Sequence, residues 1–90
     1  MKKFIDNDEG YLKWIDNNLQ GFVMNCNRQP NSKYLILHRA ECYTITGTPA
    51  NGKSWTSGYL KVCSLDSMEL KNWAHQEIKG NPRSCGTCKP

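Results

Sequence analysis

Apolar side chains recur at helical spacing in the first quarter of the chain. The apolar positions that share one helix face are Tyr11, Trp14, Ile15 and Leu19. Acidic residues just before them suit the positive N-terminal end of a helix. Gly21 can supply a left-handed cap at the other end. The pattern therefore predicts a first helix from Asp8 to about Leu19.

Short runs of β-branched and aromatic residues follow and predict a small antiparallel sheet of three to four strands. The predicted strands are residues 22–26, 34–37, 43–46 and 55–62. The turn-rich segment 27–32 joins the first two as a hairpin. An Asn-Gly pair within residues 47–54 predicts a loop between the last two. We interpret Gly58, inside the fourth strand, as a β-bulge.

A second helix is predicted over residues 65–78. Asp66 can cap its N-terminus, and Glu69 follows three residues later, as in a capping box. Its apolar stripe is Leu70, Trp73, Ala74 and Ile78. Gly80 and Pro82 end the helix. Two helices on a small antiparallel sheet give an α+β fold, and the 90 residues form a single domain over positions 1–90.

Composition favours a protein of the cytoplasm. Hydrophobic residues make up 38% of the chain and the mean hydropathy is -0.71. The chain has no apolar run of about 18 residues, the length that would span a membrane. The N-terminus turns acidic from Asp6 onward, where a signal peptide would carry its apolar stretch. We therefore expect a cytoplasmic protein whose small core leaves a narrow margin of stability.

This compartment decides how the five cysteines are interpreted. Disulfides rarely persist in a reducing cytosol, and cysteines clustered with a histidine more often bind metal. The sequence predicts a zinc ion bound by His38, Cys42, Cys85 and Cys88. Such a zinc knuckle would tie the C-terminus to the end of the second strand. The alternative is an all-cysteine site in which Cys63 replaces His38, whereas Cys26 is interpreted as a buried apolar thiol.

Two segments carry a resemblance to a known family. Residues 38–42 (His-Arg-Ala-Glu-Cys) and 82–90 (Pro-Arg-Ser-Cys-Gly-Thr-Cys-Lys-Pro) resemble the small zinc modules of the Ada type, and similar modules are appended to some bacterial nucleases. The chain also looks like short bacterial domains that share His-Arg-Ala-x-Cys and a terminal Cys-Gly-x-Cys. The resemblance implies a metal and a nucleic-acid context.

The chain departs from the Ada-type pattern in two ways. Residues 43–84 separate the two ligand pairs, which is more than Ada-like modules usually allow. The Ada-type methyl acceptor works from an all-cysteine site, whereas His38 supplies an imidazole here. That replacement makes alkyl transfer less favourable.

Two further motifs are interpreted as structural. Residues 47–54 match the phosphate-loop pattern Gly-x4-Gly-Lys-Ser, but a strand-like rather than a helical segment follows. His75-x-Glu77 before the second cysteine pair is similar to the zinc-deaminase signature, but too few residues separate the two halves. A metal with four protein ligands has no open position for water, so we expect no enzyme. An enzyme that uses a metal-activated thiolate is the third hypothesis for function.

Charge suggests what the module binds. Residues 1–25 carry three basic and four acidic side chains, whereas residues 26–90 carry nine basic and four acidic ones. The candidate binding residues on loops and strand ends are Arg28, Lys33, Arg39, Lys53 and Trp55. Cations and an aromatic ring suit phosphates and stacked bases. We hypothesise a non-catalytic module that binds DNA or RNA, and the alternative is a protein–protein interaction module that serves a larger enzyme.

Overall fold

One mixed sheet of five strands organises the protein. The computed structural model describes residues 1–46 and 54–90. The strands are β1 (Lys2–Phe4), β2 (Phe22–Asn27), β3 (Leu35–Arg39), β4 (Tyr59–Ser64) and β5 (Arg83–Ser84). Their order across the sheet is β1-β4-β2-β3-β5. All neighbours are antiparallel except β3 and β5, which are parallel.

Two helices cover the sheet. Helix α1 spans Asp8–Asn17, and helix α2 spans Ser67–Trp73 and continues as a π-helical turn over Ala74–Ile78. This arrangement confirms the α+β class and the hairpin of β2 and β3. No helix in the described residues is long and apolar enough to cross a membrane.

The sheet separates two hydrophobic cores, and its central strand β2 contributes to both. Met24 lies opposite Leu37 and Val62, and this face of the sheet packs against α2. Val23 lies opposite His38 and Cys63, and this second face packs against α1. Because side chains alternate along a strand, the two faces take their residues from alternate positions. His38 therefore belongs to the second core.

The ends of both helices follow the side-chain chemistry of the sequence. Asn7 caps α1 by accepting a hydrogen bond from the Gly10 amide at 2.9 Å. Asp66 caps α2 as predicted, accepting from the Met68 amide at 2.9 Å. Helix α1 ends two residues before Leu19, because the Asn18 side chain donates to the Trp14 carbonyl and closes the last turn.

The predicted third strand over residues 43–46 is wrong. Tyr43–Ile45 instead forms a 3₁₀ turn, in which the Ile45 amide donates to the Cys42 carbonyl. The Tyr11 hydroxyl fixes this turn by donating to the Ile45 carbonyl at 2.6 Å. The side chain of Tyr43 is 76% exposed, so it does not lie on a buried face of the sheet.

The predicted fourth strand starts too early. β4 begins at Tyr59, because Asp8 at the start of α1 holds the preceding segment in a turn. Its carboxylate accepts hydrogen bonds from the Ser54 hydroxyl and from the Trp55 and Thr56 amides. Burial raises the pKa of Asp8, but a hydrogen bond from the Thr56 hydroxyl, together with the three above, outweighs it and lowers the pKa below its usual value. The bulge expected in the strand at Gly58 is absent, because that residue precedes β4.

The edge strands β1 and β5 raise the strand count above the predicted three to four. β1 has three residues and β5 has two. Segments this short show no recognisable alternation of apolar and polar residues, and their pairing depends on strands that are distant in sequence. β5 brings the C-terminal cysteines to the end of β3.

A lysine is buried in the second core. Lys61 is 2% exposed, and its Nζ donates to the Asn25 side-chain oxygen at 2.7 Å and to the Trp55 carbonyl at 2.9 Å. The rings of Tyr11, Trp55 and Tyr59 lie within 5.2–5.9 Å of this Nζ. These contacts partly replace water around the ammonium group. Burial nevertheless lowers the pKa of Lys61 to about 8.

We predict that Lys61 makes stability rise between about pH 8 and pH 9. The pKa of this lysine is 10.5 in the unfolded chain but about 8 in the folded protein, so the unfolded chain binds more protons above pH 8. The free energy of unfolding therefore increases by about 1 kcal/mol between pH 8 and pH 9. Above pH 9 the buried thiols of Cys26 and Cys63 oppose the gain, because burial raises their pKa values to about 12. Urea unfolding of wild type and Lys61→Met at one zinc concentration measures the difference. Equal pH slopes for the two proteins would contradict the prediction.

Candidate metal centre

Pairing between β3 and β5 brings two distant ligand pairs together. His38 lies in β3, and Cys42 follows a tight turn in which its amide donates to the Arg39 carbonyl at 3.0 Å. Cys85 directly follows β5, and its amide donates to the Leu37 carbonyl at 2.8 Å. This bond extends the parallel ladder by one residue. The backbone thus places Cys85 beside the strand that carries His38.

The ligand atoms have the spacing of a site for one ion. One nitrogen of His38 and the Sγ atoms of Cys42, Cys85 and Cys88 all lie within 4.8 Å of one another. A tetrahedral ion with metal–sulfur bonds of about 2.3 Å requires sulfurs about 3.8 Å apart. The Sγ atoms of Cys42 and Cys85 are separated by 3.9 Å. The cluster could therefore hold a metal ion.

The imidazole of His38 suits a metal. Its Nδ1 is buried and has no hydrogen-bond partner, and within residues 1–46 and 54–90 no other buried side-chain nitrogen or oxygen is in this state. Such an unsatisfied atom costs free energy unless a ligand or ion meets it. Burial, assisted by the charge of Lys61, lowers the pKa of His38 to about 4. The ring is therefore neutral near pH 7 and keeps a lone pair for coordination.

Backbone amides support the sulfurs. The Arg39 amide donates to Cys88 Sγ at 3.2 Å, and the Thr87 amide donates to Cys85 Sγ at 3.4 Å. The Thr44 hydroxyl lies 3.0 Å from Cys42 Sγ. Hydrogen bonds of this kind orient metal-bound thiolates and favour their charged form. The three sulfurs thus have the second shell that a thiolate site needs.

The thiols of Cys85 and Cys88 do not ionise with equal ease. Burial raises the pKa of Cys85, but amide hydrogen bonds outweigh it and lower the pKa to about 7. Burial raises the pKa of Cys88 to about 11, and its contacts with Cys42 and Cys85 add to the increase. A negative charge on one sulfur therefore raises the pKa of a neighbouring thiol. A divalent cation would remove this repulsion and allow all three sulfurs to bind as thiolates.

The structure places the other two cysteines outside the cluster. Cys63 lies on the same sheet face as His38, but β2 separates their strands, which puts them two strand spacings or roughly 10 Å apart. Cys26 lies on the opposite face, in the core under α2. All five cysteines are free thiols. His38 rather than Cys63 thus completes the cluster.

The candidate binding residues do not form one surface. Lys33 and Arg28 lie at the turn end of the β2–β3 hairpin, whereas Arg39 lies at its other end, about 15 Å away along β3. Trp55 is half-buried in the second core, where its ring faces the Lys61 ammonium. Lys53 and most of the segment that resembles a phosphate loop lie outside the described residues.

Two of these cations have structural partners. The Arg28 guanidinium forms two hydrogen bonds with the Asp6 carboxylate, at 2.8 and 2.6 Å, and a third with the Ser57 carbonyl. The Arg39 guanidinium donates to the carbonyls of Cys88 and Lys89 at 3.0 and 3.2 Å. The sequence predicts a binding role for Arg39, whereas its position next to the ligand His38 is the signal for this structural role. Arg39 closes the C-terminal turn of the cluster through both its backbone and its side chain.

No protein-family model, curated protein or solved structure matches this chain. The resemblance to Ada-type modules therefore stays a prediction. Inferences about function rest on the geometry of the described residues.

We predict a coordination shell of three sulfurs and one nitrogen. X-ray absorption of the zinc-loaded protein should give zinc–sulfur distances near 2.3 Å and one zinc–nitrogen distance of about 2.0–2.1 Å. His38→Cys should change the shell to four sulfurs, while Cys63→Ala should leave the wild-type shell unchanged. A four-sulfur wild-type shell that loses one sulfur in Cys63→Ala would show that Cys63, not His38, is the ligand.

Proposed function

We propose that the chain is a non-catalytic zinc-binding module whose ion fastens the C-terminus to the end of β3. The observation that carries this proposal is the close group of His38, Cys42, Cys85 and Cys88. One imidazole with three thiolates in tetrahedral spacing is a donor set that zinc prefers. Free thiols in such a site persist in a reducing compartment, which agrees with a cytoplasmic location.

A structural role for the ion is favoured over catalysis. Four protein ligands fill a tetrahedral shell and leave no position for water or substrate. His38 and Cys42 are 6% and 3% exposed, so reagents have little access to that side of the ion. A metal-activated thiolate enzyme would need at least one accessible sulfur, and Cys88 is the most exposed of the three. The enzyme hypothesis therefore ranks last.

Zinc would complete the second core. Cys42 and Cys85 pack there with Tyr11, Ile15 and Ala40, so ligand atoms and apolar side chains belong to one cluster. Without the ion, the three sulfurs would have no common bonding partner, and they would either repel one another as thiolates or remain protonated. β5 would then be held mainly by its short pairing with β3. Small domains built in this way commonly need the metal in order to fold.

We predict that removing zinc abolishes the cooperative thermal transition. Cys85→Ser and Cys88→Ser should do the same, because each breaks the coordination shell. Cys26→Ala is the matched control, since it removes a buried thiol from the other core and should keep both the metal and the transition. Differential scanning calorimetry with metal analysis measures this. A cooperative transition retained in chelator-treated protein would refute the fastening role.

We further propose that the module binds single-stranded nucleic acid beside the zinc knuckle. Tyr43 follows the ligand Cys42 and is 76% exposed, and it lines a shallow groove with Arg39, Glu41 and Thr87. An exposed aromatic ring can stack on a base while a neighbouring cation pairs with phosphate, and Arg39 is the basic side chain in the lining of this groove. The excess of basic residues over positions 26–90 agrees with this partner.

Salt-dependent anisotropy with labelled single-stranded DNA and RNA tests this proposal. We expect affinity to fall with salt and to fall again by about tenfold in Tyr43→Ala, since base stacking contributes about 1–3 kcal/mol. Lys33→Ala, at the other end of the hairpin, should have a smaller effect. If neither nucleic acid binds, or if Lys33→Ala is the more damaging change, the knuckle surface is not the binding site.

A further inference from the structure

Four large apolar side chains lie exposed where the end of α1, the end of β4 and the start of α2 meet. They are Met1, Leu19, Leu65 and Met68, exposed by 51, 54, 65 and 53%. We name these four residues the apolar band. Single exposed apolar residues are ordinary on protein surfaces, whereas a contiguous group bordered by polar residues marks an interaction site.

Three adjoining grooves connect the members of the apolar band. Leu19 and Leu65 line one groove of about 340 Å³. Leu65 and Met1 line a second of about 350 Å³, and Met1 and Met68 line a third of about 400 Å³. Because each groove shares a residue with the next, the four side chains form one continuous surface.

The border of the apolar band is acidic. The acidic side chains that line its grooves are Asp16, Asp66, Glu69 and Glu77. Among the described residues that line them, Lys2 is the single basic side chain. The surface thus has four of the chain's eight acidic residues but one of its twelve basic residues. Its charge is opposite in sign to that of the whole protein.

Glu69, which lines two of the three grooves, is a stabilised carboxylate. Glu69 accepts a hydrogen bond from the Ser64 hydroxyl at 2.7 Å and lies 3.4 Å from the Met1 amino group. These contacts, led by the Ser64 hydrogen bond, lower the pKa of Glu69. Asp66 accepts from the Met68 amide at the positive end of α2. A partner would therefore meet Glu69 as a carboxylate held in a defined position.

We propose that the apolar band docks a basic amphipathic helix of a partner protein. The apolar face of such a helix would contact Leu19, Leu65 and Met68, and its lysines and arginines would pair with the acidic border. Methionine suits this role because its unbranched thioether adapts to different shapes. The same border repels phosphate, which disfavours nucleic acid and anionic lipid at this surface.

A second copy of this chain is a poorer occupant. α1 carries Asp8, Glu9 and Asp16 against Lys13, so its polar face is acidic. α2 and its π-helical turn carry both Glu69 and Glu77 beside Lys71. Neither helix is a basic amphipathic one. Charge complementarity therefore points to a different protein.

Binding of designed helical peptides to the zinc-loaded full chain tests the proposal. One labelled peptide has leucine and lysine at amphipathic spacing, and its counterpart has glutamate in place of lysine. We expect only the lysine peptide to bind. The double variant Leu65→Ser/Met68→Ser should weaken binding by about tenfold, as loss of buried interface anchors does. The control Ile5→Ser, at an apolar residue 38% exposed outside the band, should leave it unchanged.

A charge comparison separates the acidic border from general attraction. Glu77→Lys, at the border, should weaken binding of the lysine peptide, whereas Glu9→Lys on the first turn of α1 should not. Thermal unfolding confirms that each variant folds. The proposal is overturned if the two peptides bind equally. It is also overturned if Ile5→Ser weakens binding as much as Leu65→Ser/Met68→Ser does, and Glu9→Lys as much as Glu77→Lys. It is also overturned if sedimentation shows a wild-type dimer that Leu65→Ser/Met68→Ser abolishes, because the occupant would then be a second copy.

Discussion

The close grouping of three sulfurs and one imidazole is the constraint on which the C-terminal part of this protein depends. Amide hydrogen bonds lower the pKa of Cys85, whereas burial and the neighbouring sulfurs raise that of Cys88, and Nδ1 of His38 is buried without a partner. A divalent cation bound by this cluster would offset the charge of the sulfurs. β5 has only two residues and cannot by itself hold this end of the chain. Fastening of the C-terminus by such an ion would therefore have an electrostatic as well as a geometric origin.

The two cores reach stability by different means. The core under α2 is made of apolar side chains and one thiol, that of Cys26, so burial alone accounts for it. The core under α1 also contains the ligand cluster and the ammonium group of Lys61, which need specific partners. Asp8 and Lys61 hold Trp55 from two sides through its backbone amide and carbonyl. The polar groups of the second core therefore depend on defined contacts.

Much of the fold and of the metal cluster could be predicted because the signals are local. Helical periodicity and capping residues identify both helices, and ligand spacing identifies His38 and its three cysteines. Residues 43–46 alternate like a strand, yet Tyr11 and the ligand turn fix them as a 3₁₀ turn. The binding surface also could not be derived from composition. Arg28 and Arg39 look equivalent in sequence, but one pairs with Asp6 and the other closes the C-terminal turn.

Gly21 joins the metal cluster to the apolar band. Its carbonyl accepts from the Ala40 amide at 2.9 Å, within the turn between two ligands, and its amide donates to the Asn18 carbonyl at 2.8 Å. A Cβ at this position would lie 2.7 Å from the Trp14 ring and 3.1 Å from the Ser64 carbonyl oxygen. Glycine is thus required by close packing rather than by a left-handed cap. This backbone contact therefore connects the turn between His38 and Cys42 to the residues that follow α1, at the edge of the apolar band.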